Sequence, residues 1–150
     1  WYPARPDTPE RVVLADHAAL RVRIELVRRA IGVAGVTGDP AALRELLPSL
    51  LDHLAAHLAL EDQLLAPTLA SIDAWGPERS RRLAEEHGAQ RAWIAAARAR
   101  LAATGGDASA LATEALEMIE RVEADMTQEE HEALDLRLYD DGVIQIDFSG

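Results

Sequence analysis

The chain of 150 residues carries a net charge of −11, contains no cysteine and is 49% hydrophobic. Its length predicts a single domain, residues 1–150, that is large enough to bury a core. The acidic balance argues against nucleic acid and anionic membrane surfaces as partners, and the lack of cysteine excludes disulfides, zinc–thiolate sites and cysteine nucleophiles.

The composition also indicates the kind of fold and the compartment. Alanine and leucine are abundant, whereas aromatic residues and β-branched runs are few, which favours helices over sheets. No apolar run reaches membrane-spanning length, and the N-terminus lacks a basic-then-apolar signal pattern. We therefore expect an all-α protein of the cytoplasm.

The first predicted helix follows a short N-terminal arm. Two prolines within residues 1–7 disfavour a helix there and predict an extended arm packed across the domain. Thr8 then offers a helix cap, and Pro9 suits the first helical position. The glycines at 32, 35 and 38 are expected to end this helix after about 25 residues. Its inward face repeats every three or four residues: Val13, His17, Leu20, Ile24, Val27 and Ile31.

The second helix is predicted to begin at Asp39-Pro40, again a cap followed by a proline. Pro48 is expected to kink or restart it, so that its main body covers about residues 50–65. His57 and Glu61 lie four residues apart in this body and share one face, which the flanking leucines turn inward. Because an unpartnered buried carboxylate is costly, Glu61 requires a compensating charge.

Two more helices are predicted, over about residues 77–103 and after the cap at Asp107. The third places His87 and Gln90 on its inward face. The fourth places Asp125 and Glu129, four residues apart, on its own inward face. The tail, residues 139–148, is predicted to be an extended segment laid on the bundle or an intermolecular strand.

An internal repeat relates the two halves of the chain. The segments that start at His17 and His87 both fit His-small-Ala-x-Arg-x-x-Ile, and Glu61 and Glu129 are each followed by a second acid. Two similar helical hairpins facing each other predict an up-down-up-down four-helix bundle with extended N- and C-terminal arms.

The inward polar residues are predicted to share one layer of this bundle. In antiparallel order, at 1.5 Å of rise per residue, all of them fall within roughly 9–15 Å of the same end. The predicted layer contains His17, His57, Glu61, His87, Asp125 and Glu129. Imidazoles and carboxylates without thiolates suit iron, manganese or zinc, and six ligands are too many for a closed tetrahedral zinc site. Two carboxylates able to bridge favour a two-metal centre.

With these motifs in order, residues 10–138 resemble the hemerythrin-like family, the HHE cation-binding domains. The resemblance implies a non-haem centre of two iron ions with an oxo or hydroxo bridge, able to bind O₂ when reduced. By position it implies five ligands, with the two glutamates as bridging carboxylates: His17, His57, His87, Glu61 and Glu129. The chain departs from the family at Asp125, where a histidine is usual, and at Arg91, where the oxygen carriers have a second histidine.

The departures bear on function. A more carboxylate-rich site favours the higher-valent metal, so we expect activation of O₂ or peroxide by a small-molecule oxidase or oxygenase rather than reversible O₂ carriage. The alternatives are a non-enzymatic O₂, NO or redox sensor, or an iron-handling protein, with the same centre. The oligomeric state is left open, and Asp125 is either a ligand or a bystander of a five-ligand site.

Several neighbouring side chains have more than one interpretation. His53 is a ligand, a hydrogen-bond donor to the site or simply polar, and Gln90 either packs or hydrogen-bonds a metal-bound species. Arg91, like Arg21, is interpreted first as an outward partner of an acid and otherwise as a residue near the pocket mouth. Three residues are expected to face solvent: Asp16, Glu86 and His131.

Overall fold

The computed structural model describes residues 8–132 and Leu134. These residues form four helices: α1 (Pro9–Thr37), α2 (Ala41–Ile72), α3 (Gly76–Ala103) and α4 (Ala108–Glu132). The architecture is the predicted all-α four-helix bundle. Both predicted arms, residues 1–7 and 139–148, lie outside the described residues.

Contacts between side chains show that neighbouring helices run antiparallel. On α1, His17 precedes Arg23, but their partners on α2 come in the reverse order. His17 lies beside His57, and Arg23 donates to Ser49. The α1–α4 pairs also run in opposite order, because Arg21 pairs with Glu130 and Arg28 pairs with Glu123. The α2–α3 pairs run in opposite order as well, because Arg91 pairs with Asp62 and Arg98 pairs with Asp52. The order of helices is therefore up-down-up-down.

Helix α1 is longer than the sequence predicts. It continues through Gly32 and Gly35 and ends only at Gly38, whose φ of 71° is left-handed and whose N–H donates to the Ala34 carbonyl. A glycine inside a helix costs only about 1 kcal/mol, which the buried Ala30 and Ala34 offset by packing in the core.

Helix α2 corrects the expectation that Pro48 restarts the helix, because one helix covers both Pro48 and Pro67. A kink at Pro48 stays a prediction. Each proline removes one backbone hydrogen bond, but both rings lie on the exposed side. The buried leucines on either side, including Leu47 and Leu50, keep the helix on the core. The predicted cap at Asp107 is confirmed, since its carboxylate accepts the N–H of Ser109. Helix α2 has Pro40 as its N-cap, one residue later than predicted, and Asp39 accepts the N–H of Ala41.

The apolar core has two parts with the polar layer between them. The larger cluster extends from Leu20 on α1 to Met126 on α4 and includes Ile94. The smaller cluster, at the other side of the layer, contains Val13, Leu65, Leu69, Leu83 and Leu134. Within residues 8–132, no helix combines the length and the apolarity needed to cross a bilayer.

Candidate metal centre

Five of the six predicted ligands meet in the polar layer. His17, Glu61 and His87 are fully buried, and His57 is 3% exposed. One ligand atom from each of His17, His57, Glu61 and Glu129 lies within 4.8 Å of all the others. The four helices each contribute at least one of the five residues, so the bundle itself assembles the group.

Glu61 lies at the centre, with its two oxygens turned toward different histidines. Oε1 contacts His57 Nε2 and lies 3.7 Å from His17 Nε2, whereas Oε2 lies 2.6 Å from His87 Nε2. A carboxylate whose oxygens serve separate nitrogen ligands has the arrangement of a bridge between two ions.

Glu129 occupies the corresponding place on α4. Its Oε1 lies 3.0 Å from His17 Nε2 and 4.0 Å from His57 Nε2, and its side chain is 10% exposed. The two imidazoles face each other, with 3.1 Å between the Nε2 atoms of His17 and His57. Lone pairs of nitrogen and oxygen therefore converge on one small volume.

Each histidine is held from behind by a carboxylate on another helix. His57 Nδ1 donates to Asp16 at 2.6 Å, and His53 Nε2 donates to the other oxygen of Asp16 at 2.9 Å. Arg23 in turn donates to His53 Nδ1 at 2.8 Å. These bonds place the proton of His57 on Nδ1 and leave Nε2 as a metal ligand.

The other two histidines have similar supports. His87 Nδ1 lies 2.6 Å from Asp62 Oδ1, and Arg91 pairs with the same carboxylate. His17 Nδ1 lies 3.3 Å from Glu130 Oε1, and Arg21 donates two hydrogen bonds of 2.8 and 2.6 Å to the same carboxylate. All three Nε2 atoms therefore point into the layer.

Burial and mutual contact displace the pKa values of the layer. Burial lowers the pKa of His17, but hydrogen bonds with Glu129 and Glu61 outweigh it and raise the pKa to about 9. Burial and the nearby Glu61 raise the pKa of Glu129 to about 7 despite its bond with His17. Burial also acts to raise the pKa of Glu61, but its three histidine partners hold it far below the usual range. Without a cation, protons must compensate the buried carboxylates.

The donor set fits a divalent or trivalent cation. Oε1 of Glu61 and Oε1 of Glu129 are buried and lack a hydrogen-bond donor of good geometry. Unsatisfied buried carboxylate oxygens are costly, and a metal ion would satisfy both at once. Imidazole and carboxylate without thiolate suit iron, manganese or zinc.

Asp125 is the predicted ligand that the structure does not bring into the group. Its carboxylate is 29% exposed and pairs with Arg121 Nε at 3.2 Å, one turn earlier on the same helix. It does line an inner cavity of about 20 Å³ next to the group, together with Gln90 and Glu129. Ligation by Asp125 stays a prediction.

Among the neighbouring residues, His53 and Arg91 touch the carboxylates behind the ligands and not the centre itself. The expectation that Asp16 is solvated is wrong, because it accepts hydrogen bonds from two histidines. Its place directly before His17 does not by itself predict this contact, because the direction of the side chain depends on the two histidines of α2. His131 is exposed, as predicted.

The supports of His17 and His87 have a sequence signal. Asp62 and Glu130 each directly follow a glutamate of the layer. That repeated pair of acids is the pattern from which both supports could have been found.

Comparison with known families agrees with this geometry. Residues 8–136 match the hemerythrin HHE cation-binding domain. The chain belongs to this family. No curated protein and no solved structure matches the chain. As a hemerythrin HHE domain with a buried group of histidines and glutamates, the protein has the features of a cation-binding protein.

Proposed function

We propose that the polar layer of this hemerythrin HHE domain holds two iron ions, for which manganese or zinc can substitute, and that the protein activates O₂ or peroxide there. The observation that carries the two-ion site is the position of Glu61, whose oxygens face His57 and His87 separately. Glu129 provides the second bridging carboxylate, beside His17.

The charges around the layer support redox chemistry. With metal bound, the three imidazoles of the layer would be neutral beside two carboxylates. Asp16 adds a further negative charge directly behind His57. Anionic oxygen donors stabilise the higher oxidation state of iron. The bound iron would supply the electrons that reduce O₂ or peroxide, as in a small-molecule oxidase or oxygenase. The two apolar clusters border the layer on both sides along the bundle.

A second function, O₂, NO or redox sensing or iron handling, has its own support. The inner cavity has a volume of about 20 Å³, and its walls include four of the proposed ligands: His17, His57, Glu61 and Glu129. This volume suits a ligand about the size of one water molecule. A site of this size favours a diatomic ligand over an organic substrate at the metal.

Metal content tests the two-ion site. Protein purified with iron is expected to contain two ions per chain, and Glu61→Ala is expected to lose both because each ion loses a bridging ligand. Glu45→Ala, at an exposed position of the same helix, is the matched control. Well under two ions per chain in the unmodified protein would contradict the proposal.

Anaerobic reduction followed by exposure to O₂ separates the two functions. Rapid oxidation of the iron, followed by absorbance, is expected for an oxidase or oxygenase, whereas a stable coloured adduct indicates a sensor or carrier. Iron that stays reduced in air would contradict both.

A further inference from the structure

The two hairpins, α1–α2 and α3–α4, repeat the same contacts around the centre. Glu130 contacts both His17 and Arg21, and Asp62 contacts both His87 and Arg91. The sequence repeat is thus also a repeat of side-chain contacts. Positions of the first hairpin can therefore be compared with those of the second.

In the first hairpin, side chains occupy the space between α1 and α2 next to His17. His53 and His57 are both bonded to Asp16 there, and Leu20 is fully buried beside them. Two imidazole rings and a leucine fill the gap between α1 and α2.

The second hairpin has different residues at each of these four positions. Arg121 and Asp125 replace the two imidazoles, Glu86 replaces Asp16, and Gln90 replaces Leu20. Asp125 is held by Arg121 at 3.2 Å, so neither side chain fills the interior as His57 does. The gap between α3 and α4 consequently stays open, and these two helices pack loosely.

An outer cleft of about 170 Å³ occupies this gap. Its walls are formed by residues of α3 and α4: Glu86, Ala89, Gln90, Arg121, Asp125, Gln128 and Glu129. Three of them, Gln90, Asp125 and Glu129, also line the inner cavity beside the centre. These three side chains therefore form the boundary between the outer cleft and the cavity at the buried carboxylates.

The cleft is acidic, and one of its lining residues, Glu129, is also a proposed metal ligand. Glu86, Asp125 and Glu129 contribute three carboxylates, and the guanidinium of Arg121 is paired with one of them. Glu129, with a side chain 10% exposed, has a buried Oε1 that lies 3.0 Å from His17 Nε2 but lacks a hydrogen-bond donor of good geometry. A negative cleft with low-dielectric walls concentrates cations and raises their rate of entry.

We propose that the cleft between α3 and α4 is the route by which divalent metal cations enter the centre. Glu86 and Asp125 attract the hydrated ion, and Glu129 is the first ligand that it meets. The inference rests on the proposed metal site and adds the path to it.

Stopped-flow mixing of the metal-free 150-residue chain with Co²⁺, whose visible absorption reports binding, tests the route. Ala89→Phe narrows the cleft and is expected to slow uptake about tenfold or more while the final cobalt content is unchanged. The matched control is Ala19→Phe, at the corresponding exposed position of α1, which is expected to load at the unmodified rate.

A charge variant gives a second test. Glu86→Gln is expected to slow uptake several-fold and to weaken its dependence on salt, whereas Glu85→Gln, an exposed neighbour, is expected to change neither. If Ala89→Phe alters the final cobalt content, the comparison of Glu86→Gln with Glu85→Gln decides whether the cleft is the entry route.

The outcomes distinguish failure of the proposed entry route from failure of the proposed metal site. Uptake by Ala89→Phe and Glu86→Gln at the unmodified rate, or equal slowing by Ala19→Phe, would overturn the route alone. Failure of the unmodified chain to bind Co²⁺ would overturn both proposals.

Discussion

At the scale of single residues, the centre depends on carboxylates that do not themselves face the ligand volume. Asp16 accepts from both His57 and His53, so it sets the ring orientation and the tautomer of His57. A supporting carboxylate of this kind typically contributes 10–100-fold to metal affinity.

We therefore predict that Asp16→Asn weakens metal binding by about 10–100-fold, because asparagine offers one uncharged acceptor oxygen where two histidines donate. Competition with a chelator of known affinity measures the change. Asp52→Asn, which removes an exposed carboxylate paired with Arg98 on the outside of α2, is expected to bind metal normally. Equal affinities of the two variants would contradict the role of Asp16.

The raised pKa values predict how the stability of the metal-free protein depends on pH. His17 has a folded pKa of about 9 and an ordinary value of 6.5, so its stabilising contribution is complete below 6.5 and is lost toward 9. The pKa of Glu129 is raised from 4.5 to about 7, so its contribution to the stability of the folded state is lost as the pH rises from 4.5 to 7. Asp16, with its lowered pKa, stays ionised throughout this window.

The free energy of unfolding of chelator-treated protein is thus expected to fall between about pH 5 and pH 9. Metal-loaded protein should show the opposite trend, since protons compete with the metal for His17 and Glu129. Urea unfolding across this range, with metal and with chelator, measures both slopes. If the free energy of unfolding of the metal-free protein rises between about pH 5 and pH 9, the protons assigned to His17 and Glu129 are absent.

At the scale of helices, the ends are set by backbone conformation more than by glycine content. Gly38 has a φ of 71°, which an L side chain adopts only with strain, whereas Gly32 is helical and open to solvent. Two glycines six residues apart therefore have opposite roles in one helix.

We predict that Gly38→Ala destabilises the protein by about 1 kcal/mol and that Gly32→Ala stabilises it by about 0.5–1 kcal/mol. Urea midpoints of the two variants measure the difference, and each serves as the other's control. Destabilisation by Gly32→Ala would mean that α1 does not continue through residue 32.

At the scale of the whole molecule, the polar layer divides the core into two apolar clusters. Its buried carboxylates oppose folding unless a proton or a cation compensates them. Metal binding is therefore expected to act on the stability of the entire bundle and not only on one helix.

Metal at about 1,000 times its dissociation constant is expected to add about 4 kcal/mol and to raise the Tm by roughly 10 °C for a domain of this size. Calorimetry with and without metal measures the shift. In Glu61→Ala the shift should largely disappear, because the central ligand is absent. An unchanged shift in this variant would place the stabilising metal elsewhere.

The sequence by itself determined the four helices, their order and five of the residues that meet. Caps, prolines and the spacing of apolar residues act locally, so they can be recognised along the chain. His57 and Glu61 share a face through helical periodicity alone, and the depth of His17 and His87 follows from helix rise. The prediction that Pro48 restarts the helix was wrong, because packing of the surrounding leucines outweighed the one hydrogen bond that the proline removes.

The tertiary structure alone decided which acids approach the centre. Asp16 and Asp125 both lie at the edge of an inward face, where a short side chain can turn either way. Asp16 turns inward because two histidines of α2 donate to it, whereas Asp125 is held by Arg121 on its own helix. Such a choice depends on partners brought together by packing, and helical spacing does not encode it.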